Sequence, residues 1–337
     1  TPVLHVHTAQ TGLDALPKGI PTVDTINRLQ TAFPGNVAPA LVAIKGNADS
    51  QAMQSAVRDL VSQARASGQA KEPIEVDISH DQSVTRVTIP LVGNGTDSKS
   101  VAALHTLRDR ILPATVGHVS GAKWAVTGGT ANSEDGNKLL KHAWPIVFAF
   151  VLGLAFLLLL VSFRSLVIPI KAIVLNLLSV GAAYGVLIAV FQKGWGESLL
   201  NFKSNGGIAS WLPIFMFVIL FGLSMDYHVF ILSRVREAYD RGMKTEDAVA
   251  HGIKTTAGVV TSAALVMVGV FSIFATLPIL DMKELGIGLA AAVLIDATIV
   301  RAVLLPATMK LLGDWNWYLP KWLQWLPQID HGAGSAV

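Results

Sequence analysis

Two carboxylates stand inside stretches of sequence that are otherwise apolar. Asp226 lies in Gly222-Leu-Ser-Met-Asp-Tyr-His228, and Asp296 lies in Ala290-Ala-Ala-Val-Leu-Ile-Asp-Ala-Thr298. A carboxylate deep in a bilayer costs at least about 2.5–3.5 kcal/mol, so it must face a protein interior or a water path, and it is a functional candidate by default. A carboxyl removed from water resists ionisation, which lets it bind and release a proton near neutral pH. Proton-driven transport needs that chemistry. Tyr227 is next in sequence and can hydrogen-bond a carboxylate or pass a proton on, so Asp226 and Tyr227 form the expected proton relay. The bland alternative is a neutral Asp226 that only ties helices together.

Two further titratable groups are accessory candidates, with relay and structural roles both open. His228 sits nearer the cytoplasmic end. Asp296 lies at a depth similar to that of Asp226, and Arg301 on the same helix, or a base on a neighbour, could instead pair with it. Gly222 is one turn before Asp226 and would admit a close neighbouring helix. Gly181-Ala-Ala-Tyr-Gly185 fits the small-residue packing pattern G-x-x-x-G. Asn176 and Ser179 are expected interhelical hydrogen bonders, and Pro278 and Pro306 expected span boundaries.

Other chemistries lack their residues. No phosphate-binding G-x-x-x-x-G-K-[ST], H-E-x-x-H or G-x-S-x-G occurs. Cysteine is absent, and His5-Val-His7 offers two ligands where a metal site needs more. The expectation is a non-enzyme with no metal and no cofactor, using protons as the coupling ion. A net charge of +3 without a long basic run argues against nucleic acid.

The elements that must position these residues fall into two blocks. Apolar residues make up 52% of the chain and charged ones 15%, too apolar for an ordinary soluble protein and too charged for one lying wholly in lipid. Residues 1–141 read as an α+β domain. A helical pattern covers Thr22–Phe33, a short strand Pro39–Lys45, a helix Asp49–Ala66, strands Ile74–Ile78 and Val84–Val92, a helix Ser100–Leu112 and a strand Lys123–Thr127. The last six give strand–helix–strand–strand–helix–strand, the ferredoxin-like split βαβ order. A helical stretch, Asn132–His142, leads into the membrane block.

Five apolar stretches follow within 142–310: Ala143–Phe163, Pro169–Phe191, Trp211–Ser233, Thr256–Ile279 and Glu284–Leu305. Each has the roughly 20 residues an α-helix needs to cross a bilayer, where only internally hydrogen-bonded backbone is tolerated. Ten Lys and Arg flank the first and third connections and the C-terminal end, against three in the other connections. The positive-inside rule then puts the N-terminal domain outside and the C-terminus in the cytoplasm. An external domain with no leader of its own implies at least one further span upstream of Thr1. The mixed-charge stretch Arg234–Lys254 reads as a helix along the inner surface or a solvated connector. Residues 311–337 carry Trp315, Trp317, Tyr318, Trp322 and Trp325, amphipathic aromatics suited to the headgroup level, so an interfacial segment and a cytoplasmic tail are expected.

The run Phe221-Gly-Leu-Ser-Met-Asp-Tyr-His228, continuing to Glu237, resembles the MMPL family of the RND transporter superfamily. So do Gly288-Leu-Ala-Ala-Ala-Val-Leu-Ile-Asp-Ala-Thr-Ile-Val-Arg301 with Leu305-Pro-Ala307, and Thr261-Ser-Ala-Ala264. The likeness covers about 143–310 and extends more loosely to the first domain, whose order matches the superfamily's porter subdomains. It implies a bacterial inner-membrane exporter of lipids, hydrophobic drugs or related amphiphiles, driven by the proton motive force. It also implies twelve spans in two similar halves, of which this chain resembles the second half without its first helix. In the family, the pair matching Asp226 and Tyr227 meets a second Asp-Tyr pair from the other half. That missing half, membrane lipids, the amphiphilic substrate and other copies in an oligomer are the implied partners. The position of His228 varies in the family, so no role is carried over to it. Two rival readings stay open: a non-transporting sterol-sensing-like scaffold or sensor, and a protein-translocation auxiliary.

Overall fold

The computed structural model describes residues 8–9, 21–32, 39–93, 95, 97–202, 204 and 206–327; His5 and His7 lie outside them. Contacts divide the chain into two compact units, one within Ala9–Lys141 and the other holding His142–Val337.

In the first unit, α1 (Pro21–Ala32) is followed by β1 (Ala40–Lys45), α2 (Gln51–Ala66), β2 (Glu75–Ile78), β3 (Val84–Ile89), α3 (Ser98–His105) and β4 (Lys123–Thr127). The strands form one antiparallel sheet in the order β2–β3–β1–β4. β1 is central, with Val42 opposite Val87 on one side and Val126 on the other. Its period-2 pattern turns Ala40, Val42 and Ile44 into the core and leaves Ala43 and Lys45 exposed. Met53, Leu60 and Ala64 of α2 and Ala103 and Leu104 of α3 complete that core. Each fully buried Leu or Ile contributes about 1.5–3 kcal/mol.

Side-chain caps explain where the two core helices begin. Ser50 Oγ accepts from the Met53 amide at 3.2 Å, and an Asp97 carboxylate oxygen from the Ser100 amide at 3.0 Å. Beyond α3 the helix continues through a π-type stretch, Thr106–Ile111. There Arg108 makes a bidentate pair with Asp135, at 2.6 and 2.8 Å.

Among the described residues, the helices long and apolar enough to cross a membrane are Gly129–Phe163, Val167–Gln192, Leu212–Asp240, Thr245–Thr276 and Leu280–Trp317, here numbered spans 1 to 5. Span 5 packs against spans 4, 2 and 3. Glycines permit the close approaches. A Cβ on Gly286 would fall 2.6 Å from the Phe271 carbonyl oxygen, and one on Gly252 2.4 Å from Val235 Cγ2.

Three expectations are corrected. The charged stretch after span 3 is neither a separate surface helix nor a long connector. Span 3 runs on to Asp240 and span 4 starts at Thr245, because Arg234–Glu237 and Arg236–Asp240 pairs (2.8 and 2.9 Å) support helix beyond the apolar part. Pro306 does not end span 5; it sits in the first turn of Leu305–Leu312, where a missing N–H is tolerated. The turns before it, Asp296–Leu304, are π-helical rather than α.

The aromatic segment folds back on the connection between spans 1 and 2. Ser165 Oγ donates to the Asn316 carbonyl (2.6 Å), the Leu166 amide to the Tyr318 carbonyl (3.1 Å) and Lys171 Nζ to Asn316 Oδ1 (3.0 Å). Trp317 stacks on Tyr239 beneath the Arg236 guanidinium. Trp315, Trp322 and Trp325 stay exposed.

Candidate functional site

Span 3 carries its polar residues on two faces. Ser224 and His228, four residues apart, point into the bundle and are buried. Gly222 and Asp226, also four apart, are exposed. The Asp226 carboxylate lines an open groove of about 370 Å³ with Val229, Phe230, Ser233, Arg234 and Glu237. Tyr227 lies between the faces. Its ring stands over the Arg301 guanidinium, 4.5 Å from carbon to centroid, and its hydroxyl reaches Met267 Sδ on span 4 at 3.6 Å. Asp226 and Tyr227 are therefore neighbours on one helix, and their side chains take different surroundings.

Asp296 occupies the interior. One oxygen, Oδ2, accepts from Ser224 Oγ at 2.9 Å and from Arg301 Nε at 2.8 Å, and Arg301 Nη2 also bonds it. Nη2 further reaches the Ser224 carbonyl at 2.8 Å, and Ser224 Oγ contacts Asn176 Oδ1 of span 2 at 2.6 Å. Spans 2, 3 and 5 are thus joined through one ion pair. The π-helical turns make it possible. In a regular α-helix, residues five apart lie about 140° apart around the axis. Bonding from i to i+5 brings Arg301 back beneath Asp296. Sequence reading named Arg301 as one partner for Asp296, but an α-helical period gives no reason for the two to meet.

Beside this cluster is a cavity of about 20 Å³, lined among others by Asn176, Ser224, Tyr227, Asp296 and Arg301. That is room for about one water molecule. Asp296 Oδ1, Arg301 Nη1 and Asn176 Nδ2 are buried without a hydrogen-bond partner among the described residues, so the site can still take a polar molecule or a proton. Neither ring nitrogen of His228 has a partner there.

Gly185 and Gly222 have open space where a Cβ would stand, and Gly181 is half-buried. Among the described residues, close helix approaches occur at Gly252, Gly286 and Gly288. Among the described residues, no group of three or more His, Asp or Glu side chains is arranged to hold a metal ion.

Comparison with known proteins places this arrangement. The MMPL family model matches residues 14–327. The mycolic acid-containing lipids exporter MmpL11 of Mycolicibacterium smegmatis is 38% identical over 305 residues, covering 88% of this chain and 31% of that protein. The heme uptake protein MmpL11 of Mycobacterium tuberculosis is 44% identical over 214 residues, covering 63% and 22%. The trehalose monomycolate exporter MmpL3 of Mycobacterium tuberculosis is 31% identical over 335 residues, covering 94% and 34%. The chain spans about a third or less of the length of these relatives. With a family match over nearly its whole length and, among the described residues, five helices able to cross a bilayer, this chain is a multi-pass membrane protein of the MMPL family.

Proposed function

We propose that this chain is the C-terminal half of a proton-motive-force-driven exporter of lipids or related amphiphiles in a bacterial inner membrane. Asp226 is its proton acceptor and Tyr227 the partner in the relay. One observation carries the reading: Asp226 is exposed on a membrane-crossing helix, beside the uncovered Gly222. Lipid is a poor neighbour for a carboxylate, and an uncovered glycine is the natural seat of another helix. The face therefore belongs against further spans, which the other half of a protein the length of the relatives would supply. An Asp-Tyr pair there would complete the relay.

Protonation of Asp226 removes a charge from that interface and lets the two halves repack, while the Asp296–Arg301 brace keeps spans 2, 3 and 5 together as one body. Rocking of such a body is how repeat-built transporters alternate access. The sheet order of the first unit supports a ferredoxin-like porter domain. It stands outside the membrane, with the C-terminus in the cytoplasm, and guides substrate past the bilayer. No cofactor and no enzymatic step enters this scheme.

These relatives include exporters of lipids and a heme uptake protein. Apolar, amphiphilic cargo is common to both. The decisive experiment uses the full-length protein in vesicles with an imposed pH gradient. Asp226→Asn is expected to abolish gradient-driven lipid movement while leaving assembly intact; transport at the wild-type rate would overturn the assignment.

A further inference from the structure

At the opposite end of the bundle from Arg301, one turn into span 5, Glu284 is completely buried. Its Oε2 accepts from the Ala209 amide at 2.9 Å, and Oε1 has no partner among the described residues. The charged groups nearby are engaged elsewhere. Lys283 turns away and donates to the Leu200 and Ala275 carbonyls, at 2.8 and 3.1 Å. Asp281, a second acid on the same turn, accepts from Trp211 Nε1 at 3.3 Å. In the loop between spans 2 and 3, Glu197 accepts from the Ser204 amide at 2.8 Å. Asp281 also takes the first-turn position where the helix dipole favours an anion, and the effect fades beyond that turn.

A carboxylate enclosed in this way, with one backbone donor and no countercharge among the described residues, is strongly disfavoured as an ion; such a group takes up a proton instead. We infer that Glu284 is a proton-binding site in its own right, loaded in this conformation and distinct from Asp226 and Asp296. Its placement suits a port. Glu284, Gly288, Ala292 and Asp296 recur at four-residue steps along span 5 and are all buried. Twelve residues at 1.5 Å each put the two acids about 18 Å apart. The stripe between them is sealed at Gly288, where a Cβ would fall 2.7 Å from Met216 Sδ and 3.1 Å from Leu187 Cδ2. The site at this end is thus held apart from the central cluster by two flexible apolar side chains.

Infrared difference titration of this chain in lipid vesicles tests the inference without knowledge of cargo. The carbonyl stretch of a protonated carboxyl is followed between pH 6 and 9, in parallel in sodium and in choline buffers. Glu284→Gln keeps volume and an oxygen for the Ala209 amide but cannot ionise. It is expected to remove one protonated-carboxyl band that is present at pH 7 in the wild type and in Asp226→Asn. A band that survives in Glu284→Gln and disappears in Asp226→Asn overturns the inference. So does a wild-type spectrum without any such band at pH 7, a result that requires no variant to fold. Loss of the band in sodium but not in choline would make the site a cation site, and overturns it equally.

Discussion

Removing one partner of the Asp296–Arg301 pair should cost far more than removing both. Arg301 is 3% exposed and is the countercharge of a carboxylate that otherwise keeps one hydroxyl donor, Ser224. Arg301→Met leaves that carboxylate buried and uncompensated, which costs about 3–5 kcal/mol, and the guanidinium's contact with Tyr227 adds up to about 2 kcal/mol when desolvated. Replacing both members by apolar side chains removes the charge altogether and is often close to neutral. The double variant Asp296→Leu with Arg301→Met is therefore expected to recover most of what Arg301→Met loses. With about 2–4 °C per kcal/mol for a domain of this size, the pair cost alone shifts the transition by roughly 6–20 °C. Thermal unfolding of the purified chain in detergent, followed by tryptophan fluorescence and circular dichroism, resolves such a shift. The reasoning fails if Arg301→Met stays within about 0.5 kcal/mol of wild type, as an exposed substitution would. It fails equally if the two single effects simply add, since adjacent charges must show coupling.

Gly286→Ala should destabilise this chain by about 1–3 kcal/mol, because its Cβ would strike the backbone of span 4, whereas Gly222→Ala should be silent here in the same unfolding assay. In the full-length protein, Gly222→Ala is expected to weaken assembly between halves, seen as faster proteolysis. Asn316→Ala strips the buried Lys171 ammonium of its acceptor and removes the Nδ2 bonds to the Met309 and Gly313 carbonyls, so hydrogen exchange at 314–327 should accelerate roughly tenfold. In the first unit, hydrogen bonds from Ser79 and then Ser83 lower the Asp81 carboxyl from 3.8 to about 2. The folded value lies below the unfolded one, so the contribution is complete above pH 4 or so and lost as pH falls through about 2. Amide protection in the β2–β3 turn should fall across that window, and Asp81→Asn should abolish the dependence.

The spans were legible because length and composition suffice for them, and β1 because Pro39–Lys45 is an apolar run of strand length; that Ala40, Val42 and Ile44 turn inward shows only in the structure. The helix starts read from the pattern fall at Asp49 and Ser100, one residue before and three residues after the Ser50 and Asp97 caps that set them. Which face each acid takes was not legible. Asp226 and Asp296 sit in similar apolar runs, and the π-helical turns that bury Asp296 against Arg301 break the very period used to read helices. Glycine packing was legible only in part. Gly185 matches the packing motif and has open space beside it within this chain, while Gly252 and Gly286, outside any such motif, meet other helices closely. The docking of Asn316 on Ser165 and Lys171 joins residues roughly 150 apart in sequence and leaves no local signal.

Asp226 and Asp296 differ in what accompanies them, and that difference supports the parts proposed for them. Asp296 carries its countercharge on its own helix, so no movement of neighbouring spans that leaves span 5 intact can separate them. Its charge state is insulated from conformational change, as a brace requires. Asp226 has no such companion: its surroundings are set by whatever covers the groove it shares with Phe230 and Arg234. A group whose environment depends on an interface is one whose protonation can do work on that interface, because affinity for a proton and affinity between the packed surfaces are reciprocal. Tyr227 leans on Arg301 with its ring and adjoins Asp226 in the chain, so it stands between the two acids.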